Sequence, residues 1–373
     1  MSEGPFIEYI HVDKSYDGKN LVVSDFNLEV YRSEFVTLLG PSGSGKTTCL
    51  MMLAGFEAVT RGKILASGTP IHRVPSYKRG IGVVFQHYAL FPHMTVAENV
   101  AFPLQVRKLP RSEVEQRVAK TLEMVQLAGY AARRPRQLSG GQQQRVAVAR
   151  ALVFDPPLIL MDEPLGALDK QLRHQMQYEL KQLHRSLGVT VLYVTHDQSE
   201  ALTMSNRVAI LRNGLVEQIG SPEEIYERPA TAFVAQFVGE NNALSGTVVR
   251  VEGSTCCVRL VDGSEVWGEG VGIVRNGDHV LLSIRPERVR INANEDETAR
   301  RADIRDVTYL GEQIRLRLSF GMVDNFIVTI RNLGDSMGYK VGQQVIVSWR
   351  TPDCRAFVTD GSNCPDAVGM TEV

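Results

Sequence analysis

Short apolar runs alternate with longer amphipathic segments over the first 240 residues. The runs have the length of buried strands, and the segments between them carry the three-to-four-residue spacing of helices. Strands that are buried on both faces are typical of parallel sheets, because helices cover each face. The alternation therefore predicts an α/β domain over residues 1–240 with a largely parallel sheet. The clearest runs are FVTLLG (35–40), IGVVFQ (81–86), LILMDE (158–163) and TVLYVTH (190–196).

The pattern departs from this alternation in two places. Residues from about 88 to 155 lack clear strands and contain the helix-like SEVEQRVAKTLEMVQL, which predicts a mainly helical insertion between two sheet strands. After residue 240, short strands alternate with glycine-bearing turns, which predicts a small all-β domain over 241–373. A barrel related to the oligonucleotide-binding (OB) fold fits such a set of strands.

Composition narrows the class of protein only slightly. Forty-one Lys+Arg against 42 Asp+Glu leave a net charge of -1, so no basic field indicates nucleic-acid binding. The five cysteines show no metal-binding spacing, which indicates reduced thiols in the cytosol. The first residues lack the basic and apolar regions of a signal peptide, and no uncharged apolar run reaches about 18 residues. We therefore expect any membrane role to come through another chain.

One segment carries a strong phosphate-binding pattern. GPSGSGKTT at 40–48 fits G-x-x-x-x-G-K-[ST] and lies between a predicted strand and a predicted helix. Its glycines let backbone N–H groups face phosphate oxygens, and the helix start adds its positive dipole end. Lys46 is predicted to reach the β- and γ-phosphates of ATP, and the Thr47 hydroxyl to bind Mg²⁺. The predicted nucleotide ligands in this loop are Gly40, Ser42, Gly43, Ser44, Gly45, Lys46, Thr47 and Thr48.

Polar side chains end three of the other predicted strands. Asp162 is predicted to hold Mg²⁺, and Glu163 to accept a proton from the attacking water. Gln86 is a candidate ligand for the water or the metal, and His196 could hydrogen-bond the γ-phosphate or orient Glu163. Taken alone, each of these side chains also fits a purely structural role. Tyr16 offers an aromatic face for adenine, although most surface tyrosines merely pack.

The segment LSGGQQQR at 138–145 presents a second glycine-bearing helix start. Ser139 and Gln142 form a capping-box pattern, so the segment could simply be how a helix begins. Yet Gly140 and Gly141 in the first turn cost about 1 kcal/mol each relative to alanine. Glycines there permit close approach, and the unpaired N–H groups of a helix start favour an anion. This second anion site could serve the nucleotide of another copy of the chain.

In this order and at these intervals, the motifs resemble those of the nucleotide-binding subunit of an ABC (ATP-binding cassette) transporter, over residues of about 5 to 240. The resemblance implies an α/β P-loop NTPase cassette with a helical insertion, and a homodimer that sandwiches two ATP molecules head to tail. It places Ser139, Gly140, Gly141 and Gln142 of one chain at the γ-phosphate held by Lys46 of the other. Asp169, in Ala167-Leu168-Asp169, would lie at the dimer seam and contact the nucleotide in trans. The implied catalytic set is Glu163, His196, Gln86 and Lys46.

Among ABC proteins, the absence of a predicted membrane span, a long coiled coil or a second cassette favours a bacterial importer subunit. Such a subunit docks on the cytoplasmic face of the inner membrane against two membrane-spanning permeases, which a solute-binding protein supplies. We expect Tyr88 to Met94 to line the groove that receives a permease helix, with core packing as the alternative. The competing class is a soluble ABC-type ATPase that acts on nucleic acid, a partner we do not expect.

The second domain resembles the OB-like (TOBE-type) accessory domain of importers for sugars, polyamines and ferric iron. Its strands lack an interleaved basic and aromatic surface, which favours a dimerising and regulatory module over nucleic-acid binding. FVGENNALSGTVV at 237–249 is most similar to the spermidine/putrescine branch. The alternatives are the same machine importing ferric iron, a sugar or another small solute, and the substrate cannot be derived from physical argument on this chain.

Overall fold

The computed structural model describes residues 4–292, 299–332, 334 and 338–359. The chain divides into two compact units, Met1–Arg228 and Pro229–Val373. The sequence predicts a boundary between residues 240 and 241, whereas the units meet at 228 and 229. The segment between these points groups with the second unit because Arg285, which is buried, donates hydrogen bonds to the carbonyls of Ala235 at 3.1 Å and Glu240 at 3.0 Å. Residues 360–373 of the predicted second domain lie outside the described residues.

The first unit contains two sheets and seven α-helices among its described residues. Its strands are β1 (Ile7–Ser15), β2 (Leu21–Val30), β3 (Phe35–Leu39), β4 (Arg61–Ala66), β5 (Thr69–Pro70), β6 (Gly82–Val84), β7 (Leu158–Asp162), β8 (Thr190–Thr195), β9 (Arg207–Arg212) and β10 (Leu215–Gly220). Its helices are α1 (Lys46–Ala54), α2 (Val96–Val106), α3 (Arg111–Met124), α4 (Gly140–Leu152), α5 (Lys170–Leu187), α6 (Gln198–Met204) and α7 (Pro222–Glu227).

The larger sheet has the order β10-β9-β3-β8-β7-β6. Strands β9, β3, β8, β7 and β6 pair in parallel, and β10 joins β9 as an antiparallel edge. Every residue of β3, β7 and β8 is buried, which confirms the predicted buried parallel sheet. Because these strands run in one direction, the residues that follow them meet at one edge of the sheet.

A second, antiparallel sheet with the order β2-β1-β4-β5 was not predicted from the sequence. Register shifts interrupt the pairing of β1 with both β2 and β4. His11, within β1, has a left-handed φ of 48°. Each bulge reverses which residues face the core, so the strict alternation that identifies a half-buried strand is lost.

Helices α2, α3 and α4 lie between β6 and β7 in the chain, where the sequence predicts a helical insertion. They enclose an apolar cluster of their own, separate from the cluster under the parallel sheet. Thr95 begins α2 with a capping box to Glu98, and Ser139 begins α4 with the same arrangement to Gln142. These caps satisfy backbone N–H groups that a helix start leaves without partners.

The second unit contains a closed barrel and a five-stranded sheet. Its elements are α8 (Ala232–Phe237), β11 (Asn242–Glu252), β12 (Thr255–Leu260), β13 (Glu265–Val271), β14 (His279–Ile284), β15 (Arg290–Ile291), β16 (Arg300–Tyr309), β17 (Gln313–Phe320), β18 (Val323–Arg331), β19 (Gln344–Ser348) and β20 (Cys354–Val358). The barrel order is β11-β12-β13-β20-β14, and the sheet order is β15-β19-β16-β17-β18. The barrel is the predicted OB-like element.

The buried side chain of Asn242 forms hydrogen bonds between the barrel and the five-stranded sheet. Asn242 of β11 donates to the Ile327 carbonyl at 2.8 Å and accepts from the Ile327 N–H at 2.7 Å. The amide therefore imitates one step of strand pairing and satisfies a backbone donor and acceptor of β18. Trp349, which is fully buried, packs on Phe326 in the shared core, with ring centroids 5.6 Å apart.

Candidate active site

The loop between β3 and α1 has the backbone that the phosphate-binding pattern requires. Gly43 and Gly45 adopt left-handed φ angles of 79° and 94°. A Cβ atom added to Gly40 would lie 2.3 Å from the Leu211 carbonyl oxygen, and one added to Gly45 would lie 2.9 Å from the Val22 carbonyl oxygen. The glycines therefore serve two needs, backbone conformation and close packing against neighbouring chain.

Lys46 begins α1 and turns back over its own loop. Its Nζ donates to the carbonyls of Gly40 at 2.8 Å and Pro41 at 2.9 Å, and it lies 3.4 Å from the Ser44 hydroxyl. Burial lowers the pKa of Lys46, while the nearby carboxylates of Glu163 and Asp162 oppose that shift. The ammonium is thus held in a poorly solvated position that favours an anionic ligand. Of the other predicted ligands, Ser42 and Gly43 are exposed and Thr48 is half-buried.

Thr47 of α1 and Asp162 at the end of β7 are in contact at the predicted metal site. The Thr47 hydroxyl donates to Asp162 Oδ1 at 2.9 Å. Asp162 is 7% exposed, and burial raises the pKa of its carboxyl group, with the Thr47 hydrogen bond acting in the other direction. A hydroxyl and a buried carboxylate are hard oxygen donors, which Mg²⁺ prefers, and a bound cation would offset the burial of the negative charge. The residues present therefore fit the predicted metal.

Glu163 lies between Gln86 and His196 at the carboxyl edge of the parallel sheet. Gln86 Nε2 donates to Glu163 Oε2 at 3.2 Å, and His196 Nδ1 lies 3.1 Å from Glu163 Oε1. Glu163 itself has a left-handed φ of 43°, and its N–H donates to the Val194 carbonyl at 2.9 Å. This uncommon conformation turns the side chain out of the strand. The three side chains therefore form one cluster, in which Gln86 contacts one oxygen of the Glu163 carboxylate and His196 contacts the other.

Sequence reasoning missed a partly buried polar network next to this cluster. Arg173 of α5 pairs with Asp197 at 2.9 Å and donates to the Leu168 carbonyl at 3.1 Å. Glu200 accepts hydrogen bonds from the hydroxyls of Tyr193 and Thr195, both at 2.7 Å. The network fixes the loop that carries His196 to the loop that precedes Asp169. A signal was available, since Asp197 directly follows His196 and Glu200 stands three residues after Asp197, which is the spacing of a helix N-cap and its partner.

The LSGGQ segment is well ordered by its own contacts. Ser139 accepts from the Gln142 N–H at 3.4 Å, and Gln142 Oε1 accepts from the Ser139 N–H at 3.0 Å. Gly140 is exposed and Gly141 is buried, and an added Cβ atom would lie 3.3 Å from the Leu168 side chain at Gly140 and 3.1 Å from the Leu172 side chain at Gly141. The absence of a side chain at Gly141 therefore has an intramolecular packing reason, which the sequence argument did not foresee.

Asp169, the fifth residue predicted to act in trans, caps α5 by accepting from the Leu172 N–H at 2.9 Å. Within the described part of one chain, no hydrogen bond or ion pair joins residues 139–142 to the phosphate loop at 40–48.

Comparison with known proteins identifies the family of this chain. The sequence profile of the family described as ABC transporter matches residues 23–166, and that of the TOBE domain matches residues 282–357. A spermidine/putrescine import ATP-binding protein of Aggregatibacter actinomycetemcomitans is 45% identical over 357 residues, which cover 92% of this chain and 94% of the relative. The chain belongs to the ABC transporter ATP-binding proteins. A counterpart in Vibrio cholerae is also 45% identical, over 92% of each chain.

A solved ABC cassette gives the same result for the fold. An ATP-binding cassette determined as a dimer in a post-hydrolysis state with ADP and Pi is 35% identical to this ABC ATPase. The match has a TM-score of 0.53 and covers 58% of this chain and 98% of the cassette. Among the residues that the structure describes, no helix combines the length and hydropathy that are needed to cross a bilayer.

The segment predicted to meet a permease is only partly available at the surface of this ABC ATPase. Tyr88 is 7% exposed and belongs to the core cluster with the parallel sheet, so its placement in a docking groove was wrong. The backbone at Tyr88 and Ala89 has left-handed φ angles, and Arg150 donates to both carbonyls at 2.7 Å. Burial of the Tyr88 ring and the two hydrogen bonds from Arg150 keep the start of the segment packed against the core. Pro92 and His93 are exposed, and Phe91 is half-buried.

Replacing Asp162 with asparagine should separate stability from activity. Burial places the folded-state pKa of Asp162 above its ordinary value, so ionising this carboxyl group weakens the fold. The free energy of unfolding therefore rises as the pH falls through that raised pKa. We expect Asp162→Asn to melt at a higher temperature than the parent at pH 7, a difference that shrinks as the pH falls, and to lose ATP hydrolysis. Thermal melts of both chains without nucleotide, from pH 7 downward, measure the difference in melting temperature.

Asp324→Asn, at an exposed position, is the control and should not shift the melting temperature. A lower melting temperature for Asp162→Asn at pH 7 would show that the Thr47 hydrogen bond outweighs the burial of charge.

Proposed function

We propose that this ABC ATPase energises the import of the polyamines spermidine and putrescine. The observation that carries the proposal is the 45% identity, over more than nine-tenths of the chain, to spermidine/putrescine import ATP-binding proteins. The proposed assembly is a homodimer on the cytoplasmic face of the bacterial inner membrane, bound to two membrane-spanning permease subunits and supplied by a solute-binding protein. The proposed domains are a cassette over 1–240 and an accessory, regulatory domain over 241–373.

In the proposed dimer, each ATP lies between the phosphate loop of one chain and the LSGGQ helix of the other. The exposed Gly140 at the first turn of α4 leaves room for a phosphate to approach the helix start. Ser139, Gly140, Gly141 and Gln142 would contact the γ-phosphate, and Asp169 would lie at the seam. The network through Arg173 would connect that seam to His196, because Arg173 holds the Leu168 carbonyl and Asp197 at once.

For hydrolysis, Glu163 accepts a proton from water as the water oxygen attacks the γ-phosphorus. The bond from the γ-phosphorus to the bridging oxygen breaks, and ADP and phosphate are the products. Gln86 and His196 orient the Glu163 carboxylate, and Lys46 contacts the β- and γ-phosphates. Thr47, Asp162 and Gln86 would hold Mg²⁺, which when bound neutralises developing phosphate charge. The dimer closes on ATP and reopens after hydrolysis, and this motion is transmitted to the permeases.

Uptake measurements test the substrate. In the bacterium that carries this chain, deleting its gene should abolish high-affinity uptake of radiolabelled spermidine and putrescine, and the parent chain should restore it. A Glu163→Gln chain, expressed to the same level, should not restore uptake. Unchanged polyamine uptake in the deletion, with loss of ferric iron or sugar uptake instead, would reassign the substrate and leave the ATPase mechanism in place.

Replacing Phe91 with aspartate should uncouple transport from ATP hydrolysis. Phe91 lies in the segment from Tyr88 to Met94 that is predicted to receive a permease helix. It is half-buried, and its ring centroid lies 4.7 Å from that of Phe102. A charge here should block insertion of a permease helix, because it removes an apolar contact and must itself stay hydrated. We expect uptake to fall at least about tenfold, which corresponds to roughly 1.4 kcal/mol of coupling, while basal ATPase activity of the purified chain remains.

The matched control is Val106→Asp, at an exposed position of α2 in the same insertion. It should leave uptake unchanged. Joint loss of uptake and basal ATPase activity in Phe91→Asp would indicate that the residue supports the fold of the insertion and not docking.

A further inference from the structure

Lys14, near the end of β1, is a buried cation whose Nζ contacts two oxygen acceptors and an aromatic ring. The residue is 7% exposed. Its Nζ donates to the Ala58 carbonyl at 2.9 Å, lies 2.8 Å from Glu57 Oε2, and lies 4.5 Å from the centroid of the Tyr16 ring. A cation over an aromatic face is attracted to it more strongly when the cation is shielded from water. The ammonium therefore joins the Tyr16 ring to the segment that follows α1.

The Lys14 ammonium lies over the ring of Tyr16, which directly follows β1. Tyr16 nevertheless remains 60% exposed, so much of the ring stays open to a ligand. The loop that follows is fixed by Asp17, whose Oδ1 accepts from the N–H groups of Lys19 and Asn20, both at 2.8 Å. An exposed aromatic ring is thus held in place by a buried lysine, paired with a half-buried glutamate, and by an ordered turn.

The same contacts connect Tyr16 to the phosphate loop through α1. The helix begins at Lys46, which contacts the phosphate loop, and Glu57 and Ala58 follow its C-terminal end. A second contact joins the end of β1 to the segment after α1, since the Ser15 N–H donates to the Thr60 hydroxyl at 3.0 Å. One rigid helix therefore fixes the distance between the phosphate loop and the segment that holds Lys14.

We propose that Lys14 is a positioning residue for the nucleobase of ATP. Its ammonium fixes the Tyr16 ring in the orientation on which the adenine stacks, so part of the affinity for ATP depends on a side chain that touches neither the phosphates nor the reacting atoms. The inference rests on the proposed function and on the prediction from the sequence that Tyr16 is the platform on which adenine stacks. It predicts an effect on ligands that carry a base and none on ligands that consist of phosphates alone.

Binding of two ligands to the full chain tests this inference. Calorimetric titrations with ATP and with inorganic tripolyphosphate, in EDTA so that no hydrolysis occurs, are compared among the parent, Lys14→Met and Lys14→Arg. We expect Lys14→Met to weaken ATP binding about threefold to thirtyfold, the range that a cation–π contact spans, with tripolyphosphate affinity unchanged. Lys14→Arg, which keeps a cation over the ring, should retain ATP affinity.

Lys63→Met, which removes an exposed lysine from the neighbouring strand β4, controls for the lost positive charge and should change neither ligand. Equal weakening of both ligands in Lys14→Met, or no weakening of ATP, overturns the inference.

Tyr16→Ala tests the stacking role of Tyr16 separately from the positioning role of Lys14. If Tyr16→Ala leaves ATP affinity unchanged, Tyr16 is not the stacking platform and that prediction fails, while the proposed ATP-driven import stands. If Tyr16→Ala weakens ATP binding while Lys14→Met does not, only the role of Lys14 is wrong. The double variant should bind ATP no more weakly than Tyr16→Ala alone, because Lys14 acts through the ring.

Discussion

Glu163→Gln should lower ATP turnover by about 10²–10⁴-fold, the range measured when a general base is removed. Glutamine keeps the size of the side chain and an oxygen that can accept the Gln86 hydrogen bond at 3.2 Å, so the loop geometry should persist. What it removes is the carboxylate that takes a proton from water. ATP binding should therefore remain, and because hydrolysis no longer reopens the dimer, the variant should accumulate as an ATP-bound dimer.

Two measurements on the purified chain check this result. Phosphate release gives the turnover, and light scattering after size-exclusion chromatography, with and without ATP, gives the oligomeric state. Glu179→Gln, which alters a glutamate of α5 that pairs with Arg145 at 2.5 Å, is the control and should keep its turnover. Full activity in Glu163→Gln would remove Glu163 from its assigned role, and a monomer that binds ATP would contradict the closure step.

Ser139→Arg should prevent dimer closure while leaving ATP binding intact. The arginine would occupy the space in front of α4, where the proposed γ-phosphate of the other chain lies, and the phosphate loop of the same chain is untouched. In a Glu163→Gln background, we expect ATP to bind with the affinity of that background, while the ATP-dependent dimer is lost. With Glu163 present, hydrolysis should fall by at least about tenfold, or 1.4 kcal/mol.

A second helix with the same cap provides the control. Ser221 begins α7 and forms a capping box with Glu224, as Ser139 does with Gln142. Ser221→Arg should lose a comparable capping energy, typically about 1 kcal/mol, and still dimerise. Normal hydrolysis by Ser139→Arg would show that Ser139 is a helix cap and nothing more.

Local patterns in the sequence were sufficient for much of the site. The phosphate loop could be recognised because its glycines, lysine and threonine act at fixed positions between a strand and a helix. The acids Asp162 and Glu163 could be placed at a sheet edge because an apolar run precedes them directly. The capping box at Ser139 is likewise a property of four consecutive residues. In each case the chemistry and the structure lie within one short segment.

Other features had no local signature. The Tyr88 ring was predicted at a surface groove and is buried, because packing under the sheet and the Arg150 contacts to its backbone prevail over the apolar pattern of its segment. The antiparallel sheet was missed because bulges in β1 disrupt the alternation. The tight packing of Gly141 depends on Leu172, which belongs to a different helix.

By itself, the sequence determined the α/β cassette, its phosphate loop and the all-β domain that follows, since these depend on periodicity and on residues close together in the chain. Only the tertiary structure decided that Gln86 and His196 contact the two oxygens of Glu163, and that Lys14 joins Tyr16 to the end of α1. Those contacts depend on which strands become neighbours. Strand order is set by the burial of whole faces, a sum over many residues that no single motif encodes.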